Sequence, residues 1–210
     1  MSKLFRMDSP LMRFLTKIAD LMVLNILFCV TSIPLITIGA SWTALYSVTL
    51  KMVRDEESSV SRSYFRSFRQ NFKQATLLWL GVLVVLALLV LDIRVLNGMA
   101  GGTAPGLLRV GVEILALLGI MVLQYLFPSL ARFEASLADT LKNACMMALA
   151  HLPKTALMTA AAVGAVWITL INNTTIAVGL MVWPLIGFSL MAFGNSGILR
   201  KIFDNYVPKA

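Results

Sequence analysis

Histidine is almost absent from this 210-residue sequence, and cysteine nearly so: His151 stands alone beside Cys29 and Cys145. Neither cysteine has a partner at disulfide or zinc spacing, so no disulfide frame and no transition-metal site is expected. Charge is scarce as well, at 13% of residues against roughly 25% in a soluble domain. There is no Gly-rich phosphate loop, no Ser or Cys paired with a histidine, and no pair of carboxylates on one face. An enzyme reading therefore has nothing to rest on, and no cofactor is expected.

What is there is apolar. Hydrophobic residues make up 59% of the chain, and mean hydropathy is +0.83. The shift points to lipid as the surrounding medium. The net charge of +8 is then read as a topological signal rather than a nucleic-acid surface.

The expected fold class is all-α, a polytopic transmembrane helical bundle. Apolar runs at 75–95 and 107–127 are each long enough to cross a hydrocarbon layer of roughly 30 Å. Shorter runs at 155–171 and 176–193 flank the polar turn Asn172-Asn173-Thr174-Thr175 and read as a hairpin. The stretch 14–53 is about twice one span and is broken near Pro34, which disfavours helix at the residue before it. It divides into 14–33 and 38–53. The total is about six spans, or five plus a re-entrant segment at 38–53, in one membrane domain covering 1–210. The basic N-terminus followed by a long apolar run reads as a retained first helix, not a cleaved signal.

With six spans, all basic residues except Arg94 and Arg109 fall on one side, out of 18 in total. The positive-inside rule assigns that side, with both termini, to the cytoplasm of a cell membrane. Two amphipathic cytoplasmic helices are expected. In the first, Phe65, Phe68 and Phe72 share a face beside a stripe of Arg62, Arg66, Arg69 and Lys73. The spacing suits a membrane-surface helix with the bilayer as its partner, or a docking surface. The second lies at 134–149. Tyr64, Ser67, Phe68, Lys73 and Ala75 recur in kind as Phe133, Ser136, Leu137, Lys142 and Ala144, a pattern compatible with a weak duplication.

At the far side, Asp92, Arg94, Arg109 and Glu113 form a candidate ionic cluster. Arg109 and Glu113 are also spaced to pair within one helix. Asp20 sits one turn from Lys17. Asp20, Asn25 and Glu113 are the evident candidates for a polar pathway, were the chain a transporter by itself.

Several segments resemble the YesL-like family of bacterial membrane proteins, whose domain has no known function. They are Asp8-Ser9-Pro10-Leu11-Met12-Arg13-Phe14, Ser32-Ile33-Pro34-Leu35-Ile36-Thr37-Ile38-Gly39-Ala40-Ser41, Thr43-Ala44-Leu45-Tyr46 and Phe68-Arg69-Gln70-Asn71-Phe72-Lys73-Gln74-Ala75-Thr76. The resemblance implies a role near carbohydrate ABC import, because such proteins are encoded beside sugar-uptake transporters in Gram-positive bacteria. It supplies no active site. A second resemblance is to the coupling loop of ABC-importer permeases: Glu134, Ala135, Asp139, Leu152 and Pro153 fall at matching offsets. Thr140 stands where that loop carries its bending Gly. This implies an ATPase or permease subunit as partner. The expected function is an accessory or permease-like subunit of carbohydrate ABC import. The alternative is a membrane-embedded sensor or scaffold without transport activity.

Overall fold

The computed structural model describes residues 10–56, 59–98 and 103–206. Lys3, Arg6, Asp8, Ser9 and Lys209 lie outside them. Among the described residues the chain is all helix, without strands: α1 (Pro10–Thr31), α2 (Ile38–Met52), α3 (Val60–Gly98), α4 (Thr103–Arg132), α5 (Leu137–Ala150), α6 (Leu152–Leu170), α7 (Asn173–Val182) and α8 (Phe188–Phe203). A five-residue π-turn, Trp183–Gly187, joins α7 to α8 without a break in the helix. Leu11–Thr31, Val60–Gly98, Gly106–Arg132, Leu152–Leu170 and Asn173–Phe203 are long and apolar enough to cross a membrane. The chain is a multi-pass helical membrane bundle. At 15 residues, α2 is about 22 Å long and falls short of that span.

The core is built around α2. Eleven of its 15 residues are buried, a helix covered on nearly every side rather than along one stripe. Its buried serine and threonine hydroxyls are satisfied internally. Ser41 Oγ donates to Thr31 Oγ1 at 2.9 Å, and Thr43 Oγ1 donates to the Gly39 carbonyl at 2.9 Å. Thr49 and Ser196 share a 2.8 Å bond to α8. Gly39 permits the closest approach: a Cβ there would stand 2.6 Å from the Ala75 carbonyl oxygen. Outward from this core, α3 and α4 present apolar side chains such as Val84 (61% exposed) and Leu107 (75% exposed). In lipid that exposure carries no hydrophobic cost.

Helix ends follow local chemistry. Pro34 opens a 3-10 turn, Leu35–Thr37, that turns α1 into α2. At the end of α2 the Glu56 N–H reaches the Lys51 carbonyl and the Asp55 N–H the Met52 carbonyl. Asp55 adopts φ 56° there, the left-handed position that glycine usually fills. Asn172 and Thr175 form a reciprocal capping box at the start of α7, the polar turn expected between the last two apolar runs.

Candidate functional site

The two ends of the bundle differ in chemistry. At one end, five contacts gather the termini of distant elements. Lys17 Nζ of α1 pairs with Asp55 Oδ1 at 2.7 Å. Arg54 pairs with Asp204, and Arg200 Nη1 donates to the Val53 carbonyl at 2.9 Å. Phe133 meets Phe203 edge-on with ring centroids 5.3 Å apart. Tyr206 Oη lies 3.3 Å from His151 Nε2, at the joint between α5 and α6. The ion pair with Lys17 holds the Asp55 carboxyl below its ordinary pKa. Lys17 is thus engaged by Asp55 and not by Asp20.

The expected surface helix is not a separate element. Residues 60–73 are the first part of α3, which runs 39 residues without interruption. Its aromatic face is also turned differently. Val60, Tyr64, Ser67 and Ala75 are buried, so the core stripe follows these positions. Phe68 stacks on Tyr64 with centroids 6.3 Å apart, and Phe72 contacts Phe68 at 5.5 Å. Both are half-buried against the core, and Phe65 alone of the three is exposed. The small Ser67 and Ala75, together with the Tyr64–Thr31 hydroxyl pair at 2.6 Å, let this face close on α1 and α2. In the basic stripe, Arg62, Arg66, Arg69 and Lys73 are all exposed, and no ion pair engages them among the described residues.

Of the loop candidates, Glu134 and Ala135 lie against α3. Glu134, Ala135 and Ser136 form the link between α4 and α5. Gln74 Nε2 of α3 donates to the Ala135 carbonyl at 2.6 Å. A polar cleft of about 630 Å3 lies between the helix and the link, walled by Gln70, Asn71 and Gln74 on one side and Arg132, Glu134 and Ser136 on the other. Two candidate segments some 60 residues apart in sequence therefore share one cleft. None of the three α3 amides was singled out by the charge pattern, since a neutral amide leaves no mark in it.

Asp139 lies in the first turn of α5, where Ser136 caps the helix through the Asp139 N–H and donates to its carboxylate at 2.6 Å. Thr140 is buried, its hydroxyl bonded to the Ser136 carbonyl at 2.8 Å. A residue at this position faces the α5 core stripe, with no bend for a glycine to relieve. Leu152 and Pro153 open α6, a favourable place for proline. The suggested duplication does not hold as a structural repeat. Tyr64 to Ala75 is continuous helix, whereas Phe133 and Ser136 lie in the link before α5.

The far-side cluster does not assemble. Arg109 Nε and Glu113 Oε1 pair at 3.1 Å within α4, each more than half exposed. Asp92 and Arg94 are exposed and join no ion pair among the described residues. Asn25 is buried and committed to the C-terminal helix, which removes it from any polar pathway.

Residues 21–93 match the model of a family described as "Protein of unknown function, DUF624". The segment runs from the core face of α1 through α2 to the outer part of α3, and so contains the Thr31–Tyr64 bond and the Gly39 crossing. The chain is also 26% identical to "Uncharacterized protein YesL" of Bacillus subtilis (strain 168) over 159 residues, 75% of this chain and 74% of that protein. No solved structure matches it.

Proposed function

We propose that this chain, a YesL-like membrane protein, serves as an accessory or permease-like subunit beside a carbohydrate ABC importer. In this reading it catalyses no reaction and holds its basic end and both termini to the cytoplasm of the cell membrane. The orientation rests on the positive-inside rule. One observation carries the docking role: Gln70, Asn71 and Gln74, which wall the polar cleft against the 133–136 link, adjoin in sequence the exposed Arg69 and Lys73 that end the stripe begun by Arg62 and Arg66. A partner's acidic segment would meet cations along α3 and hydrogen-bonding amides and backbone in the cleft. Charge supplies rate and orientation in such docking, and the amides supply register. The exposed Leu137 and Leu141 on α5 would add an apolar edge.

Purification of the tagged chain from native membranes in mild detergent tests this. Recovery of an importer permease or ATPase with the parent protein is expected, with a marked fall when Arg62, Arg66 and Arg69 are replaced together by Ala. Recovery of no importer subunit sinks the proposal.

The second reading, a sensor or scaffold, is favoured by the freedom of the four stripe cations from any intramolecular ion pair among the described residues. Under it the same triple substitution abolishes binding of an anionic lipid or signalling partner while membrane insertion is kept. Unchanged binding would remove this reading.

A further inference from the structure

Between α2, α3, α4, α6 and α8 lies a partly open chamber of about 330 Å3, within the usual size of a small-molecule site (roughly 300–1,000 Å3). Its wall is almost entirely apolar, dominated by Trp42, Trp79, Trp183, Phe127 and Phe188. The exceptions converge at one corner. Asn195 Nδ2 donates to Tyr46 Oη at 3.4 Å and to Gln124 Oε1 at 3.3 Å, and Gln124 Nε2 donates to Thr159 Oγ1 at 3.5 Å.

These bonds are long. The common N–H···O distance is about 2.9–3.0 Å, and another buried amide in this chain meets it: Asn25 Nδ2 donates to the Trp183 carbonyl at 2.9 Å and Asn25 Oδ1 accepts the Ser189 N–H at 2.9 Å. Asn195 is only 6% exposed and Tyr46 2%, so water does not screen the corner freely. Asn195 Oδ1 accepts no hydrogen bond, and the Tyr46 hydroxyl hydrogen has no acceptor, among the described residues. Polar capacity left unmet in an apolar setting is costly. A guest offering one donor and one acceptor relieves it.

We infer that the chamber binds a membrane-dissolved amphiphile, an alcohol or amide whose apolar body lies on the tryptophans and whose single polar head bonds Asn195 and Tyr46. The two obvious rivals fit less well. A sugar would bring many hydroxyls against a wall that can pair very few of them. A plain acyl chain would fill the volume and leave Asn195 Oδ1 and the Tyr46 hydroxyl unmet. A lateral route exists, since Ala162 and Val166 of the chamber's α6 wall also line a shallow groove that runs to Trp167 and Leu170. The latter two are 72% and 62% exposed. This inference is independent of partner docking at the basic end.

The test uses the full chain in detergent with Trp167→Phe. Because the chain has four tryptophans, the three that remain all line the chamber. A long-chain alkanol brominated at its tail is titrated while tryptophan fluorescence is read. Saturable quenching is expected, reversed by the unbrominated alkanol. A brominated alkane of equal length should quench only in proportion to its content in the micelle. Asn195→Leu should raise the half-saturation concentration roughly tenfold, and Ala162→Phe should remove the saturable component. Equal, unsaturable quenching by alkanol and alkane in the Trp167→Phe protein overturns the inference without reliance on a further variant. Saturable quenching that survives Ala162→Phe in a folded protein overturns it as well.

Discussion

Asn25 of α1 clamps Pro184 of the C-terminal helix: its Nδ2 donates to the Pro184 carbonyl at 2.6 Å and to the Trp183 carbonyl at 2.9 Å, while its Oδ1 accepts the Ser189 N–H at 2.9 Å. Proline in a helix interior removes a donor and displaces the preceding turn. Here the helix widens into the π-turn Trp183–Gly187, and backbone groups around it need outside partners. A single fully buried amide, 0% exposed, meets three of them. Asn25→Ala should therefore cost about 3 kcal/mol, since each buried group left unmet costs roughly 1–3 kcal/mol. Unfolding titrations in detergent would measure it. Pro184→Ala in the same background should recover part of the loss by letting the α-helix close. Strict additivity of the two changes would contradict the clamp.

The crossing of α2 on α3 depends on a missing side chain. A Cβ on Gly39 would lie 2.6 Å from both the Ala75 carbonyl oxygen and Trp79 Cβ, neither of which can swing aside. Gly39→Ala should destabilise by about 1–3 kcal/mol through overpacking. Gly194 of α8 has nothing within 4 Å of its would-be Cβ, so Gly194→Ala should be neutral or stabilise by up to about 1 kcal/mol. A melting comparison of the two variants checks the pair. A mild Gly39→Ala would mean that the helices can separate at small cost.

Much of the membrane-level design is legible in the sequence. The runs at 75–95 and 107–127 lie within α3 and α4, because long charge-poor stretches have few alternatives in lipid. The Asn172–Thr175 turn is equally readable, since its capping chemistry is local. The continuity of α3 is less so: Arg62 to Lys73 look like a surface element by charge, yet Tyr64, Ser67 and Ala75 carry the core stripe straight into the span. Contacts that join distant residues leave no trace in any window. Asn25 meets its clamp partners 158 and more positions later, and Gln74 meets Ala135 across 61. A polar residue in an apolar run looks the same whether it lines a pathway or, as Asn25 does, braces a helix.

Lys17 holds the Asp55 carboxyl below its ordinary value of 3.8, first by hydrogen bonding and then by charge. A carboxyl whose folded pKa is depressed adds stability above its unfolded pKa. That contribution fades as pH falls through the lower, folded value. The pair should therefore be intact at neutral pH and lost only below pH 3.8. Carbon-detected NMR of the Asp55 carboxyl should give a midpoint under 3.8, moving up toward it in Lys17→Met. An unmoved midpoint would show that the pair is not formed in solution. Because Asp55 is solvent-exposed, the effect on overall stability should be slight.

Arg109 and Glu113 belong to a different class of charge. Both are more than half exposed and spaced one turn apart, a geometry that contributes about 0.3–0.5 kcal/mol in a helix. Glu113→Gln should shift stability by no more than about 0.5 kcal/mol and leave partner recovery unchanged. A loss of partner binding in Glu113→Gln would restore the far side as a functional surface.

Gln74 offers a way to separate the cleft from the charge stripe. Its amide holds the Ala135 carbonyl at 2.6 Å, tying the 133–136 link to α3. Gln74→Leu removes the donor while keeping a side chain of similar bulk, so the link should lose its fixed position without loss of helix. Hydrogen exchange at residues 133–137 should quicken, and partner recovery should fall with the stripe cations untouched. Arg69→Ala should do the reverse, lowering recovery while exchange in the link stays at the parent rate, because Arg69 makes no bond to that segment among the described residues. If Gln74→Leu quickens exchange but recovers partner at the parent level, docking runs through the cations alone. The cleft is then a by-product of how α3 passes the α4–α5 link.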